Sequence, residues 1–203
     1  MANFAKSKGL NSIDSLKSHM KQIKASYQYE VLLCLLKKEM HQRELAKELK
    51  TSLTRIQSVL KELRGANAVD YKEIGKNHVY FIKRNLISKS LILNAENYKL
   101  IRLLRKHTHL ESVFKELASK APQAIIMLFG SYAKGTEKKD SDIDIYIDTT
   151  SQKIKETTQN IYPSLSVKIG TFNPSDLLIK EIIKNHVIIM GGEAYYEKIK
   201  FLE

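Results

Sequence analysis

Apolar residues repeat with helical spacing in several stretches of the first 65 residues. They recur every three or four positions over residues 27–40, and again in two shorter stretches at residues 45–49 and 56–63. This spacing places the apolar side chains on one face of a helix. Lys50 and Thr51 form a short polar turn between the second and third helices, and Ser52 is placed to cap the third. The pattern therefore predicts three helices, the last two forming a helix-turn-helix.

An alternating pattern follows and predicts a β-hairpin. Asn67 occupies a helix-ending position where a left-handed residue is usual. Residues 69–74 and 78–82 then alternate between apolar and polar side chains, and Gly75, Lys76 and Asn77 form the turn between them. A helix, a helix-turn-helix and a hairpin in this order resemble the winged helix-turn-helix DNA-binding domains of bacterial and archaeal regulators. That resemblance implies double-stranded DNA as a partner.

The remainder of the chain mixes helices and strands. Residues 86–118 have helical periodicity with a break at His107 and His109, which gives two connector helices. Strands are predicted at residues 125–129, 143–148, 165–172 and 187–190, with a helix over 175–185 and a short last helix. The predicted fold is α+β: a winged helix-turn-helix over residues 1–85, connector helices over 86–120, and an α/β domain with a small mixed sheet over 121–203.

The net charge of +12 is concentrated in the first half of the chain. Residues 1–110 contain 22 basic and 9 acidic residues, whereas residues 111–203 contain 12 basic and 13 acidic ones. Dense positive charge concentrates phosphates and releases counterions, so a polyanion is the natural partner for this half. The alternative is a lysine-rich solvated surface with no such role.

The face of the third helix opposite its apolar residues supplies the candidate DNA contacts. With Ile56 and Leu60 inward, short hydroxyls and basic side chains lie outward, which suits a groove floor and its phosphates. Further basic residues lie on or beside the wing. The candidate DNA-binding residues are Ser52, Thr54, Arg55, Ser58, Lys61, Lys72, Lys76 and Arg84. A winged helix used for protein contacts is the alternative.

The cysteine count and the apolar stretches exclude several classes of protein. Cys34 is the single cysteine, so neither an internal disulfide nor a cysteine-rich zinc site is possible. The longest stretch without a charge spans 13 residues, 121–133, and a membrane span needs about 20 apolar residues. The first ten residues contain no apolar core of the secretory kind. We therefore expect a cytoplasmic protein with no membrane partner.

Two carboxylates and a glycine-serine turn form the candidate chemical site. Asp142 and Asp144 share one face of the predicted strand 143–148, where their mutual repulsion favours a bound cation, with Mg²⁺ expected. Gly130 allows close backbone approach to a ligand, and Ser131 adds a hydroxyl at a predicted helix start, so together they suit a phosphate. Lys134 follows in the same loop, either to neutralise phosphate charge or as an ordinary exposed lysine.

The segment FGSYAKGTEKKDSDIDIYID resembles the signature of the polymerase-beta-like nucleotidyltransferase superfamily, especially its minimal members. Archaeal proteins of this type often carry a winged helix before the transferase domain. The matching positions are Gly130, Ser131, Ala133, Gly135, Ser141, Asp142 and Asp144.

The resemblance implies catalysis by Asp142 and Asp144, which would hold two Mg²⁺ ions at the triphosphate of an NTP. A nucleoside monophosphate would be transferred to an acceptor hydroxyl, and pyrophosphate would leave. Gly130 and Ser131 would hold the β- and γ-phosphates.

One departure from the family pattern leaves the activity open. Family members bring a third carboxylate from the next strand, and by register with the family Lys168 occupies that position. We expect Asp148 to reach the Asp144 face only through a bulge, and Asp176 to cap a helix. The chain is therefore either an active transferase or a DNA-binding regulator with a degenerate transferase domain.

An antitoxin role with a partner toxin is a third possibility. A homodimer is expected for a winged helix on palindromic DNA.

Overall fold

The computed structural model describes residues 27–203, so the first 26 residues of the predicted winged-helix domain lie outside the described residues. The first six elements follow the helix, helix-turn-helix and hairpin order that the sequence predicts. They are α1 (Tyr27–Lys37), β1 (Met40–His41), α2 (Gln42–Glu48), α3 (Leu53–Gly65), β2 (Val69–Ile74) and β3 (Asn77–Ile82).

The local signals at the ends of α3 act as predicted. Ser52 Oγ accepts a hydrogen bond from Arg55 N at 3.2 Å, which satisfies one of the free amides at the helix start. Asn67 adopts a left-handed conformation with φ of 59° after the helix ends. The hairpin strands β2 and β3 pair antiparallel. The two-residue strand β1, which the sequence did not predict, pairs with β3 to give the order β1-β3-β2.

This winged helix has its own hydrophobic core. Leu32 of α1, Ile56 and Leu60 of α3, and Val69 of β2 are at most 1% exposed. They pack in one cluster with Ala95 of the next helix. The alternation that the sequence predicts for the hairpin therefore directs one face of the wing toward the three helices.

Two connector helices follow, as predicted: α4 (Leu86–Lys106) and α5 (Leu110–Lys120). Asn85 caps α4, because its side chain accepts a hydrogen bond from Ser88 N at 2.9 Å. The buried hydroxyl of Ser88 donates to Ala68 O at 3.0 Å and fixes the start of α4 to the wing. Helix α4 contacts α1 on the winged-helix side and β7 and α9 on the other, so it connects the two halves.

The C-terminal part contains a four-stranded mixed sheet, in agreement with the predicted fold class. The sheet order is β6-β5-β4-β7, with β5 and β6 parallel and the other neighbours antiparallel. Its elements are β4 (Ile126–Phe129), α6 (Gly130–Lys134), β5 (Ile143–Asp148), α7 (Gln152–Gln159), β6 (Leu165–Gly170), α8 (Leu177–Lys184), β7 (Val187–Met190) and α9 (Gly192–Lys198).

Both faces of this sheet are covered. Ile143, Ile145 and Ile147 lie on one face in a cluster with α5 residues such as Leu117. On the other face, Met127 and Tyr146 pack with residues of α4, α8 and α9. The candidate site lies at the end of the sheet where β5 begins, beside the half-buried Asp144.

Two details differ from the expectations. Asp176 precedes α8, but its side chain makes no capping hydrogen bond, so the capping role assigned to it was wrong. Helix α7 had no sequence prediction, although a parallel pair such as β5 and β6 requires a crossover connection of this kind. Among residues 27–203, no helix combines the length and the apolar character that crossing a bilayer demands.

Candidate active site

Gly130 and Asp144 approach each other too closely for any other residue at position 130. Strand β4 ends at Phe129, which pairs with Asp144 of β5. Gly130 then turns the chain with φ of +69°, and a Cβ placed on it would lie 2.1 Å from Asp144 Oδ2. Glycine is therefore required both by its left-handed conformation and by the space that the carboxylate takes. The close approach of Gly130 to a ligand stays a prediction, and the close approach that the structure shows is the one to Asp144.

The short helix α6 carries the other predicted phosphate-binding residues. It begins at Gly130, so Ser131 lies in its first turn, and it ends at Gly135 with φ of +70°. Lys134 is exposed beside this end, while Ser131 is half-buried. The predicted order of strand, tight turn, short helix and loop is thus present.

The two aspartates lie on one face of β5, as the alternation predicts. Asp142 is exposed just before the strand, and Asp144 is half-buried within it. Burial and, next, the negative charge of Asp142 raise the pKa of the Asp144 carboxyl, while a hydrogen bond from Ser166 and the charge of Lys168 oppose this shift. The pair therefore carries an unfavourable concentration of negative charge that a cation would relieve.

The neighbouring strand β6 presents no carboxylate to this pair. In the parallel register, Ser166 lies opposite Asp144, and Lys168 lies opposite Tyr146. Lys168 is exposed, and its charge reaches Asp144 from one pair further along the strand. Ser166, which sequence reasoning did not single out as a site residue, is the direct neighbour of the pair. Its only sequence signal is that it shares the strand face of Lys168.

Asp148 cannot supply the missing carboxylate either. Strand β5 pairs regularly along its length, so Asp148 faces the same side as Asp144 by simple alternation, and the bulge expected there is wrong. Its Oδ1 accepts a hydrogen bond from Phe172 N at 2.8 Å, and its Oδ2 lies 2.6 Å from Lys198 Nζ. Both oxygens are engaged at the far end of the strand.

The donor set suits a divalent cation held by two carboxylates. Within the described part of the chain, no group of three or more histidine, cysteine, aspartate or glutamate residues is arranged to hold a metal. Asp142 and Asp144 offer hard oxygen ligands of the type that Mg²⁺ prefers, and burial and then the charge of Asp142 raise the pKa of Asp144, which a bound cation would oppose. The residues present therefore fit a magnesium ion. The hydroxyl of Ser166 and the ammonium of Lys168 lie on the strand from which a third acid is expected.

The candidate DNA-binding residues of α3 lie on its exposed face, where the sequence places them. Four of them are solvent-exposed: Thr54, Arg55, Ser58 and Lys61. Glu62 shares this surface and accepts hydrogen bonds from Gln28 at 2.7 Å and from Ser58 at 3.4 Å. The hydroxyl of Ser52 is occupied as the helix cap.

The basic residues near the wing differ in their surroundings. Lys76 is exposed in the hairpin turn. Lys72 forms an ion pair with Glu39. Arg84 Nη1 donates to Lys200 O at 3.4 Å, so this guanidinium is drawn toward the C-terminal segment.

The comparison with known families bears on the C-terminal half. A family model described as "Polymerase beta, Nucleotidyltransferase" matches residues 109–194, which include Gly130, Ser131, Asp142 and Asp144. The C-terminal domain is nucleotidyltransferase-like. The matched range also contains helix α5, and the boundary proposed at residue 120 stays a prediction.

Two solved structures are similar to this chain at low identity. One is the Adhesin competence repressor (AdcR) from Streptococcus pyogenes, with 17% identity, a TM-score of 0.37, and coverage of 54% of this chain and 89% of that one. The other is a toxin-antitoxin with AMP-PNP, with 24% identity, a TM-score of 0.33, and coverage of 53% and 80%. Neither likeness bears on activity at these scores. None of the curated proteins matches the chain.

Replacing Gly130 tests the contact that organises the nucleotidyltransferase-like domain. Gly130→Ala and Gly135→Ala place a side chain at nearly the same left-handed φ, but a Cβ at Gly135 meets open space. Gly135→Ala should cost about 1–2 kcal/mol of unfolding free energy. Gly130→Ala should cost roughly 1–3 kcal/mol more, because it displaces Asp144. Urea denaturation of both variants measures the difference, and equal losses would contradict the proposed contact.

The raised pKa of Asp144 predicts that replacing its carboxyl with a neutral group increases the stability of the fold in a pH-dependent way. A raised pKa means that the folded state binds the proton more tightly than the unfolded state, so ionisation destabilises the fold. Without metal, Asp144→Asn should therefore stabilise the protein at pH 7, and the gain should vanish below about pH 4, where the carboxyl is protonated in both states. Excess Mg²⁺ at pH 7 should reduce the gain by stabilising only the wild-type protein.

Thermal unfolding between pH 3 and pH 8, in EDTA and in Mg²⁺, tests the Asp144 prediction. Asp140→Asn changes an exposed aspartate of the preceding loop and provides the matched control. A gain for Asp144→Asn that stays constant over this pH range would contradict the prediction.

Proposed function

We propose that this protein binds double-stranded DNA through its winged helix and binds an NTP with Mg²⁺ in its nucleotidyltransferase-like domain. There it transfers a nucleoside monophosphate to an acceptor hydroxyl. The observation that carries the proposal is the approach of Gly130 to Asp144, with Asp142 just before the same strand. A phosphate-suited turn and an acidic pair thus share one end of the sheet.

Each residue of this site has a distinct task in the proposal. The turn at Gly130 and the hydroxyl of Ser131 hold the terminal phosphates, and Lys134 adds positive charge beside them. Asp142 and Asp144 hold the magnesium, which supplies charge neutralisation to the triphosphate when bound. Ser166 lies opposite Asp144 in the strand register, and its hydroxyl is placed to orient that carboxylate.

A second candidate function is a DNA-binding regulator that binds nucleotide without transferring it. The specific observation in its favour is that Ser166 and Lys168 face the acidic pair from β6, where the resemblance implies a carboxylate. An ammonium near Asp144 competes with a second metal ion for the same negative charge. The homodimer and the partner toxin that the sequence suggests rest on no contact of the described residues and stay predictions.

Nucleotide binding and pyrophosphate release separate these functions. We expect calorimetry to show Mg²⁺-dependent binding of an NTP by the full chain. Asp142→Asn with Asp144→Asn should weaken it at least about tenfold, because the metal ligands are lost. Asp140→Asn should leave it unchanged. Binding that ignores both Mg²⁺ and the double substitution would contradict the nucleotide proposal.

Transfer is tested by following pyrophosphate release from the bound NTP. Release by the wild-type chain supports the transferase. Release only after Ser166→Asp, which adds a carboxylate opposite Asp144, supports the regulator with a degenerate site. Lys168→Ala distinguishes removal of the ammonium from addition of an acid.

Duplex binding by the full chain tests the winged helix. Arg55→Ala removes an exposed charge from the outer face of α3, whereas Arg105→Ala removes an exposed charge from α4. Arg55→Ala should weaken binding several-fold at low salt and lower the salt dependence by roughly one phosphate contact, and Arg105→Ala should do neither. Fluorescence anisotropy at several salt concentrations measures both. Equal effects of the two substitutions would indicate a diffuse basic surface instead of groove recognition.

A further inference from the structure

A large cleft lies between the winged helix and the nucleotidyltransferase-like domain. Its volume is about 890 Å³, and its lining comes from α1, β1 and α2 on one side, α4 at the base, and α6 and the α8–β7 connection on the other. Gly130, Ser131, Asp142 and Asp144 do not line it. Of the candidate active-site residues, Lys134 alone also lines the cleft, so the cleft adjoins that site at α6 but contains neither its acidic pair nor its Gly130–Ser131 turn.

The rim of this cleft is basic. Seven lysine and arginine residues line the cleft, against three glutamates, Glu30, Glu48 and Glu96. Two rim cations, Lys38 and Lys184, pair with glutamates whose side chains are 38% and 59% exposed, and such pairs are weak enough to be exchanged for a phosphate. The exposed members of the rim are Lys37, Lys38, Arg102, Lys106, Lys134 and Lys184.

The walls below the rim are apolar and aromatic. Leu33 and Leu36 of α1 face the cleft from the winged helix, and Ile183 and Ile199 face it from the other domain. Tyr132 of α6 adds an aromatic ring. Apolar walls with a few polar groups are typical of sites for small organic ligands, whereas a site for a bare anion needs no such walls.

The floor contains two buried polar atoms that form no hydrogen bond. Glu96 is 4% exposed and His186 is 5% exposed, and both line the cleft. Glu96 Oε2 and His186 Nε2 form no hydrogen bond, although Lys99 Nζ lies 3.5 Å from Glu96 Oε2 as a loose ion pair. Unpaired buried polar atoms of this kind are rare in folded proteins and call for a partner.

The state of His186 follows from its contacts. Its Nδ1 lies 2.9 Å from Ile182 O, so Nδ1 carries the proton and donates it. Burial lowers the pKa of His186 to about 4, which leaves the ring neutral at pH 7. Nε2 is then a lone-pair acceptor beside the carboxylate of Glu96, whose Oε1 accepts a hydrogen bond from Tyr196 at 3.3 Å.

We propose that this cleft is a second ligand site, for a phosphorylated molecule with a flat heteroaromatic ring, of which a nucleotide is the simplest case. The phosphates bind the basic rim, the ring lies between the apolar walls, and N–H groups of the ring or of its amino substituent, such as the exocyclic amine of adenine, donate to Glu96 and His186. Residues 1–26 are a poor alternative occupant, because they contain five lysines and one aspartate and therefore repeat the sign of the rim.

A ligand in this cleft contacts both halves of the protein. One wall comes from α1 and α2, which support the recognition helix α3, and the other comes from α6, which begins at Gly130. Occupancy therefore adds contacts to both halves at once.

Binding of mant-ADP in EDTA tests the cleft in a variant that lacks both candidate metal ligands. The protein is the full chain with Asp142→Asn and Asp144→Asn, so that binding at the active site does not contribute. We expect saturable binding of one mant-ADP per chain. Lys37→Glu with Lys184→Glu should weaken it at least about tenfold by reversing two rim charges. Lys155→Glu, on the exposed side of α7, should leave it unchanged.

Competition by pyrophosphate tests whether the ring matters. We expect pyrophosphate to displace mant-ADP only at concentrations at least about tenfold above those of ADP, because it cannot use the apolar walls. Equal potency would overturn the assignment to a ring-bearing ligand. The absence of saturable mant-ADP binding would overturn the site itself, as would equal weakening by Lys155→Glu.

The single cysteine of the chain gives an independent measurement. Cys34 lines the cleft and is half-buried, and burial raises the pKa of its thiol to about 11, so its alkylation by iodoacetamide is measurable near pH 9. ADP should slow this alkylation in the variant with Asp142→Asn and Asp144→Asn. It should not do so when Lys37→Glu and Lys184→Glu are added to that variant. Unchanged alkylation at saturating ADP contradicts the proposal. Mg²⁺-dependent NTP binding by the wild-type chain is a separate result, so either proposal can fail alone.

Discussion

The close approach of Gly130 to Asp144 is the constraint on which the candidate site depends. Strand β4 must end beside the start of β5, and only a residue without a side chain can turn the chain over a carboxylate at that distance. The same contact leaves Asp144 half-buried next to Asp142, and this burial raises its pKa. Turn geometry, steric space and electrostatics are therefore set together by one pair of residues.

The difference between Asp144 and Asp148 shows how position along one strand decides a role. Both carboxylates lie on the same face of β5, four residues apart. Asp148 is held by Phe172 N and Lys198 at the covered end of the sheet. Asp144 lies at the open end, where Ser166 is its neighbour on β6 and no carboxylate of that strand faces it. Asp144 is therefore available to bind a ligand, whereas the carboxylate oxygens of Asp148 are already engaged by protein groups.

Local signals in the sequence were sufficient to predict most helices and strands, but they were not sufficient to predict how distant strands pair. The cap at Ser52, the left-handed Asn67 and the alternation in β5 all depend on neighbouring residues, and each was predicted. The register of β5 with β6 depends on contacts between segments that are distant in sequence. For that reason Ser166 was missed as the partner of Asp144. The cleft was missed for the same reason, because its walls come from both halves of the chain.

Helix α4 belongs to every hydrophobic cluster of the described structure. Ala95 packs in the winged-helix core, Ile92 in the cluster on the Tyr146 face, and Leu103 in the cluster on the opposite face. Removing either half would leave part of this helix bare to water. The winged helix and the nucleotidyltransferase-like domain therefore pack on one shared helix. Exchanging either for a homologue would require α4 to be redesigned with it.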